Sequence, residues 1–276
     1  MSEHRVQSAG RVLLTGAAGR IGTMLRERLP AHGWQLRLLD REPLDGALTG
    51  DVTDPAALDE ALDGETHAIV HFAGQPTEAP WPVIRDANIE GVYQVFEAAR
   101  RHGVKRVVYA SSNHATGFTP RARDLPADAA PRPDTLYGVS KVFGEAVGRY
   151  YADRYGIEVA CLRIGTCTPV PRDYRTLATW LSPDDCARLV DSALRAPSLG
   201  YAIVWGISAN TRRWWSLDAG AAIGYQPRDD AETFADRLPA EHDRPLPSDD
   251  LVGGPFTSAG FGIDEVAARR AGGSRP

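Results

Sequence analysis

A short apolar run, Arg11-Val12-Leu13-Leu14-Thr15, breaks into Gly16-Ala17-Ala18-Gly19-Arg20-Ile21-Gly22 and then into a helical pattern reaching Leu29. Strand, glycine turn, helix is the opening of a doubly wound α/β sheet. Glycines at these spacings let the backbone approach a pyrophosphate, and the N-terminus of the next helix faces its negative charge. Gly16, Gly19, Arg20, Ile21 and Gly22 are therefore candidate dinucleotide contacts. The same glycines also suit plain helix packing. The next strand separates the two readings. Gln35 to Leu39 ends in Asp40, 18 residues beyond Gly22, close to the separation expected of a carboxylate that binds the adenine ribose hydroxyls. A carboxylate there repels a 2′-phosphate and favours NAD over NADP, although Arg41 next door offers that phosphate a partner.

The rest of the chain alternates strand and helix. A short strand leads to Gly50-Asp51-Val52-Thr53-Asp54, then Pro55 to Leu62 is helical. Asp51 and Val52 are placed to flank an adenine, and Asp54 is the better N-cap. Ala68 to Phe72 predicts a buried strand ending in Ala73-Gly74, small enough for a dinucleotide to cross, with His71 as a core histidine. Val83 to His102 is helical and contains Asn88, either solvated or bonded to the backbone of a neighbouring strand. Val104 to Ala110 delivers the polar cluster Ser111-Ser112-Asn113-His114 to a strand end, where open α/β sheets bind ligands. A loop rich in Pro, Arg and Asp, from Thr119 to Pro133, covers the approach to a helix that runs through Tyr155. Val159 to Ile164 leaves Gly165-Thr166-Cys167-Thr168-Pro169 at its end, Ser182 caps a helix to Arg195, and Tyr201 to Gly206 is the last strand. Trp214-Trp215 suggests a plug at a domain or subunit interface. The pattern predicts α/β architecture: a Rossmann-type doubly wound parallel sheet with a short C-terminal substrate-side addition. Residues 1–276 form a single domain on this reading, with a nucleotide-binding core over 11–165 and the substrate-side loops, last strand and C-terminal segment over 166–276.

Composition narrows the function classes. A net charge of -5 gives no electrostatic case for nucleic acid. No apolar run approaches membrane-spanning length, and Met1 to Gly10 lacks a signal-peptide core, so a cytoplasmic protein without a membrane partner is expected. Cys161, Cys167 and Cys186 are too few and too irregular for a disulfide framework or a zinc site, and each reads as a small buried hydrophobe. No metal-ligand cluster is apparent, and no metal is expected.

Tyr137-Gly138-Val139-Ser140-Lys141 carries the chemistry. Residues four apart on a helix share a face, so a phenol stands beside an ammonium. A neighbouring cation favours phenolate and lowers its pKa, which makes a usable base. Of 31 Lys and Arg residues only Lys105 and Lys141 are lysines. A lysine at this place suggests a compact donor that serves both a ribose and the phenol.

Thr15-Gly16-x-x-Gly19-x-x-Gly22, the Ser112 cluster and Tyr137-x-x-x-Lys141 together resemble the extended short-chain dehydrogenase/reductase superfamily. Longer blocks narrow this. Ser111-Ser112-Asn113-His114-x-x-Gly117, Leu136-Tyr137-Gly138-Val139-Ser140-Lys141-x-Phe143-Gly144-Glu145, Arg163-Ile164-Gly165-x-Cys167-Thr168-Pro169, Tyr174-Arg175-x-Leu177-x-Thr179-Trp180 and Val204-Trp205-Gly206-x-Ser208-Ala209-Asn210 resemble the bacterial NAD-dependent uronate dehydrogenases. The resemblance implies NAD-dependent oxidation of the anomeric carbon of galacturonate or glucuronate to an aldarolactone. It implies Tyr137 as proton acceptor, Lys141 as the residue that holds the nicotinamide ribose, and Ser112 as the hydroxyl that orients the substrate oxygen. It places Asn113, His114, Thr166 and Arg175 at the sugar acid, Arg175 as a planar two-toothed donor to the carboxylate, and Cys167 near the cofactor. Thr166 stands where the family commonly has Ser. Pro76 stands where the family usually offers a Ser to the substrate, so Gln75 or Thr77 must compensate or one contact is lost.

Two rivals remain. One is an epimerase, dehydratase or reductase acting on a nucleotide-sugar, which usually carries a larger C-terminal substrate domain. The other is a dinucleotide-sensing protein without turnover, which often loses the Tyr or the Lys. A hexuronate as small-molecule partner and a homo-oligomer are the expected associations.

Overall fold

The structure is a computed structural model and describes residues 9–239, 242 and 244–261. Its strands are β1 (Gly10–Thr15), β2 (Trp34–Asp40), β3 (Leu48–Thr49), β4 (Thr66–His71), β5 (Arg106–Ser112), β6 (Glu158–Ile164), β7 (Thr166–Cys167), β8 (Trp180–Leu181) and β9 (Tyr201–Gly206). Its helices are α1 (Arg20–Arg28), α2 (Pro55–Ala61), α3 (Trp81–Ile84), α4 (Gly91–Arg101), α5 (Leu136–Tyr155), α6 (Thr176–Thr179), α7 (Pro183–Arg195) and α8 (Asp218–Ala222). Seven strands pair in parallel in the order β3-β2-β1-β4-β5-β6-β9, and β7 pairs with β8 apart from them. The order reverses between β1 and β4, and a doubly wound sheet binds ligands in the crevice at that reversal.

Near-continuous apolar strands make this possible, because both faces of the sheet are covered. Register aligns Leu13, Ile69, Val107 and Val159 across four strands. They face a core with Leu58 of α2, Phe96 of α4 and Tyr151 of α5. The next row, Leu14, Val70, Val108 and Ala160, faces the opposite core with Leu25 of α1 and Leu189 of α7. The two-residue alternation of a strand thus sorts side chains into two layers. Caps follow the local chemistry: Asp54 accepts from the Ala56 amide, Ser182 from Asp185 and Thr135 from Gly138.

Three differences from the sequence reading bear on the site. First, β5 runs through Ser112, so the serines lie on the strand itself, at its end. Second, the helix expected over Val83 to His102 is interrupted by a π-helical stretch, Arg85–Glu90, which carries Asn88. Such stretches often sit at functional sites. Third, Trp215 of the Trp pair serves the chain's own interior. Trp215 is fully buried and stacks on Trp205 at 4.3 Å, in a satellite core with Ala127, Ile207 and Val252. That core fastens the C-terminal segment to the sheet. Among the described residues, no helix is long and apolar enough to cross a membrane.

Candidate active site

Two adjoining cavities open at the carboxyl ends of the strands. The first, about 310 Å³, is lined by Gly16, Gly19, Asp40, Arg41, Asp51, Val52, Ala73, Gly74 and Gln75 among others. The second, about 560 Å³, shares Gly16, Gly19 and Gly74 and adds Arg20, Ile21, Gly22, Thr77, Ser112, Asn113, His114, Tyr137, Lys141, Thr166 and Cys167.

At Gly16 and Gly22 the turn leaves no space for a side chain. A Cβ on Gly16, whose φ is +73°, would lie 2.5 Å from the Ala73 amide nitrogen, and one on Gly22 would lie 2.1 Å from the Gly16 carbonyl oxygen. Asp40 ends β2 and fastens the turn: Oδ2 accepts from the Ala18 amide at 2.8 Å and Oδ1 from Glu42 at 2.9 Å. Asp51 caps its own turn by accepting from the amide and hydroxyl of Thr53. This cradle, with a fixed carboxylate at one wall, fits a dinucleotide with a free adenine ribose. Gly16, Gly19, Gly22, Asp40, Asp51, Val52, Ala73 and Gly74 are the residues that would hold it.

The wall after β4 is set by Asn88. Its Oδ1 accepts from the Gln75 amide at 2.7 Å, and its Nδ2 donates to the Gln75 carbonyl and to Ser140 Oγ at 3.1 and 2.9 Å. The π-helical stretch places this amide against the loop, which realises the backbone-bonding alternative. His71 is a core histidine: Nδ1 pairs with Thr15 Oγ1 at 2.8 Å, and burial, helped by Lys141, pushes its pKa down to about 3.

Tyr137 and Lys141 share a face of α5, as their spacing requires, with the ammonium 5.3 Å from the phenol ring centroid. Lys141 Nζ donates to the Ala110 carbonyl at 2.8 Å. Burial, opposed by Glu145, lowers the lysine to about 8. The phenol does not follow the sequence argument. Burial raises Tyr137 to about 12; the Ser112 hydrogen bond pulls it down and the Asp134 charge pushes it further up. Loss of water around the buried phenol is the largest of these causes, and a phenolate without solvent is the costlier form. Ser112 Oγ also accepts from the His114 amide at 3.2 Å.

The substrate side is uneven. Thr166 Oγ1 lies 3.1 Å from Thr179 Oγ1, and Asn113 Nδ2 donates to the Val252 carbonyl at 3.2 Å. Cys167 is a buried thiol, 3.9 Å from Met24 Sδ. Arg175 lies outside both sets of lining residues. Its guanidinium donates to the Val252 carbonyl and, at 3.4 Å, to that of Leu251, and it packs 5.0 Å from the Trp214 ring. Burial lowers its pKa to about 10, so it stays a cation at neutral pH. Sequence reasoning missed Glu78, whose buried carboxylate accepts from the Tyr137 amide at 2.8 Å and so holds the first turn of α5. No local pattern marks it, since the contact spans 59 residues.

A model of the NAD dependent epimerase/dehydratase family matches residues 12–168. A uronate dehydrogenase of Pseudomonas putida is 45% identical over 91% of this chain and 96% of its own. An NAD-dependent glucose-6-phosphate dehydrogenase of Haloferax volcanii is 42% identical over 81% of this chain and 95% of its own. The crystal structure of uronate dehydrogenase from Agrobacterium tumefaciens, a tyrosine-to-alanine mutant complexed with NAD, superposes with a TM-score of 0.85 at 42% identity and covers 91% of this chain and 98% of that one. A glycine cradle, a paired tyrosine and lysine, and similarity over most of the chain agree: the chain belongs to the NAD dependent epimerase/dehydratase family and, within it, to the uronate dehydrogenases.

Proposed function

We propose that this protein oxidises the anomeric carbon of a hexuronate, galacturonate or glucuronate, with NAD, releasing an aldarolactone. The observation that carries the reading is one cavity of about 560 Å³ in which Ser112, Tyr137 and Lys141 meet Asn113, His114 and Thr166 beside the glycine turn. NAD, when bound, supplies the hydride acceptor and, in its oxidised form, a positive charge that favours phenolate. Tyr137 takes the anomeric hydroxyl proton at its phenol oxygen. Ser112 accepts from the His114 amide, which leaves its own proton to steady the phenol oxygen and the substrate. Lys141 keeps two ammonium protons for the ribose after donating one to Ala110. Asn113, His114 and Thr166 face the sugar, with Gln75 and Thr77 at the wall where Pro76 cannot donate. Arg175 reaches the sugar carboxylate by exchanging the Val252 carbonyl. The fixed Asp40 carboxylate selects NAD over NADP. The reading places the enzyme in the cytoplasm, as a single domain with the nucleotide held by 11–165 and the substrate side built from 166–276.

The test follows NAD reduction with galacturonate, glucuronate, galactose, glucose, glucose 6-phosphate and a UDP-sugar offered separately. Rapid reduction with the uronates and little with the others supports the proposal. Activity on glucose 6-phosphate or the UDP-sugar alone overturns it and leaves the cofactor assignment standing.

A further inference from the structure

Behind the cavity wall, against His114, stands a carboxylate that the reaction has not used. Asp134 lies just before α5, and its side chain is fully buried. Its Oδ2 lies 2.8 Å from His114 Nδ1, and its Oδ1 accepts from the Thr135 hydroxyl at 3.0 Å. The niche around it is made by glycines from separate segments. A Cβ on Gly117 or on Gly253 would stand 1.9 Å from Oδ2, and one on Gly138 3.2 Å from Oδ1. Only residues without side chains leave room for this carboxylate.

We propose that Asp134 is a positioning residue that fixes His114 with its proton on Nδ1, so that Nε2 meets the sugar as a hydrogen-bond acceptor. This rests on the uronate reading. A carboxylate is an acceptor only, so the ring nitrogen facing it carries the proton. Nε2 is then the remaining polar atom of a ring that lines the cavity. The ring is clamped between Phe256, with centroids 4.1 Å apart, and the edge of Tyr137 at 5.8 Å. The same residue donates its amide to Ser112 Oγ, so fixing His114 also fixes the hydroxyl that serves Tyr137.

Thr135 makes the assignment testable. Its hydroxyl accepts from the Gly138 amide, so its proton goes to Asp134 Oδ1. In Asp134→Asn the amide oxygen must keep that place, and the amide nitrogen must face His114 Nδ1. The ring then has to accept at Nδ1 and carry its proton on Nε2, the reverse tautomer, with almost no change of shape. The experiment is nitrogen-15 NMR of the histidine rings, with the His114 signal identified by its loss in His114→Gln, alongside kinetics with galacturonate. Expected are a proton on Nδ1 in the wild type and on Nε2 in Asp134→Asn. With it, kcat/KM falls about tenfold to a hundredfold, as for a buried polar group left without its partner, while the Kd for NAD stays within twofold. Gly117→Ala, which pushes a methyl into the carboxylate, is expected to reproduce the loss. A wild-type ring protonated on Nε2 overturns the proposal without Asp134→Asn having to fold. So does a switched tautomer with kcat/KM within twofold of wild type. A wild type inert toward uronates overturns the functional reading instead, and the tautomer comparison still decides what Asp134 does to His114.

Discussion

At the scale of single residues, burial opposes the charge pattern that made Tyr137 and Lys141 conspicuous. The chain raises the phenol to about 12 and lowers the ammonium to about 8, both because the charged forms lose water. Keeping Lys141 charged at neutral pH therefore costs about 3 kcal/mol, a cost present below pH 8 and gone above the unfolded value of 10.5. Among the chain's own groups, the Ser112 hydroxyl is what pulls the phenol down. Its removal must move Tyr137 further up, leaving less phenolate at any given pH. In Ser112→Ala the rising limb of log kcat/KM against pH should shift to higher pH, and the rate at pH 7 should fall about a hundredfold or more, the usual effect of losing one preorganised donor. A limb at the wild-type pH would remove Ser112 from the proton step. Chemical identity and helical spacing were legible at this scale. The sign of the phenol's shift was not, because burial is a property of the assembled site.

Among the elements, the glycine turn was the most legible because its constraint is local: a residue either fits against the next backbone segment or it does not. Gly22→Ala places a Cβ 2.1 Å from the Gly16 carbonyl oxygen and 2.9 Å from Ala17, so the turn has to open and the amides that would face a bound pyrophosphate lose their aim. The Kd for NAD, measured by titration calorimetry, should rise about tenfold to a hundredfold, with Gly64→Ala as a control whose Cβ meets nothing within 4 Å. An unchanged affinity would mean that the turn does not carry the phosphates. The β–α alternation was legible for a similar reason, since strands buried on both faces show continuous apolar runs. The π-helical stretch at Arg85–Glu90 was not, because the hydrogen bonds Asn88 makes from it, to Gln75 and Ser140, lie outside the helix. Glu145 is hidden in the same way. It holds Ser111 and Arg163 beneath the site, and Arg163 in turn holds the carbonyls of Ala127 and Ala129 in the covering loop. A motif names such residues but not their partners.

Across the whole molecule, the C-terminal segment closes the site from the side that sequence periodicity describes least. Val252 donates its amide to the Thr119 carbonyl, and Gly253 donates to Gly117. The Val252 carbonyl receives both Asn113 and Arg175. Asp249 lies 3.8 Å from Arg175 with its Oδ1 lacking a hydrogen-bond partner, so the guanidinium is the cation that balances this buried acid. One side chain therefore has two duties: holding the segment in place and, on the proposed reading, meeting the sugar carboxylate. The duties separate in Arg175→Ala. Losing the structural one leaves Asp249 unbalanced and takes one of two donors from each of the Leu251 and Val252 carbonyls, which should cost about 3 kcal/mol or more and lower Tm by several degrees. Losing the clamp should raise KM for galacturonate about tenfold or more, with the Kd for NAD unchanged because Arg175 lines neither cavity wall around the glycine turn. A lower Tm with KM unchanged would assign Arg175 to the segment alone and leave the carboxylate to Asn113 and Thr166. Both changes together would mean that substrate and C-terminal segment compete for one cation, so that uronate binding loosens the contact which closes the site.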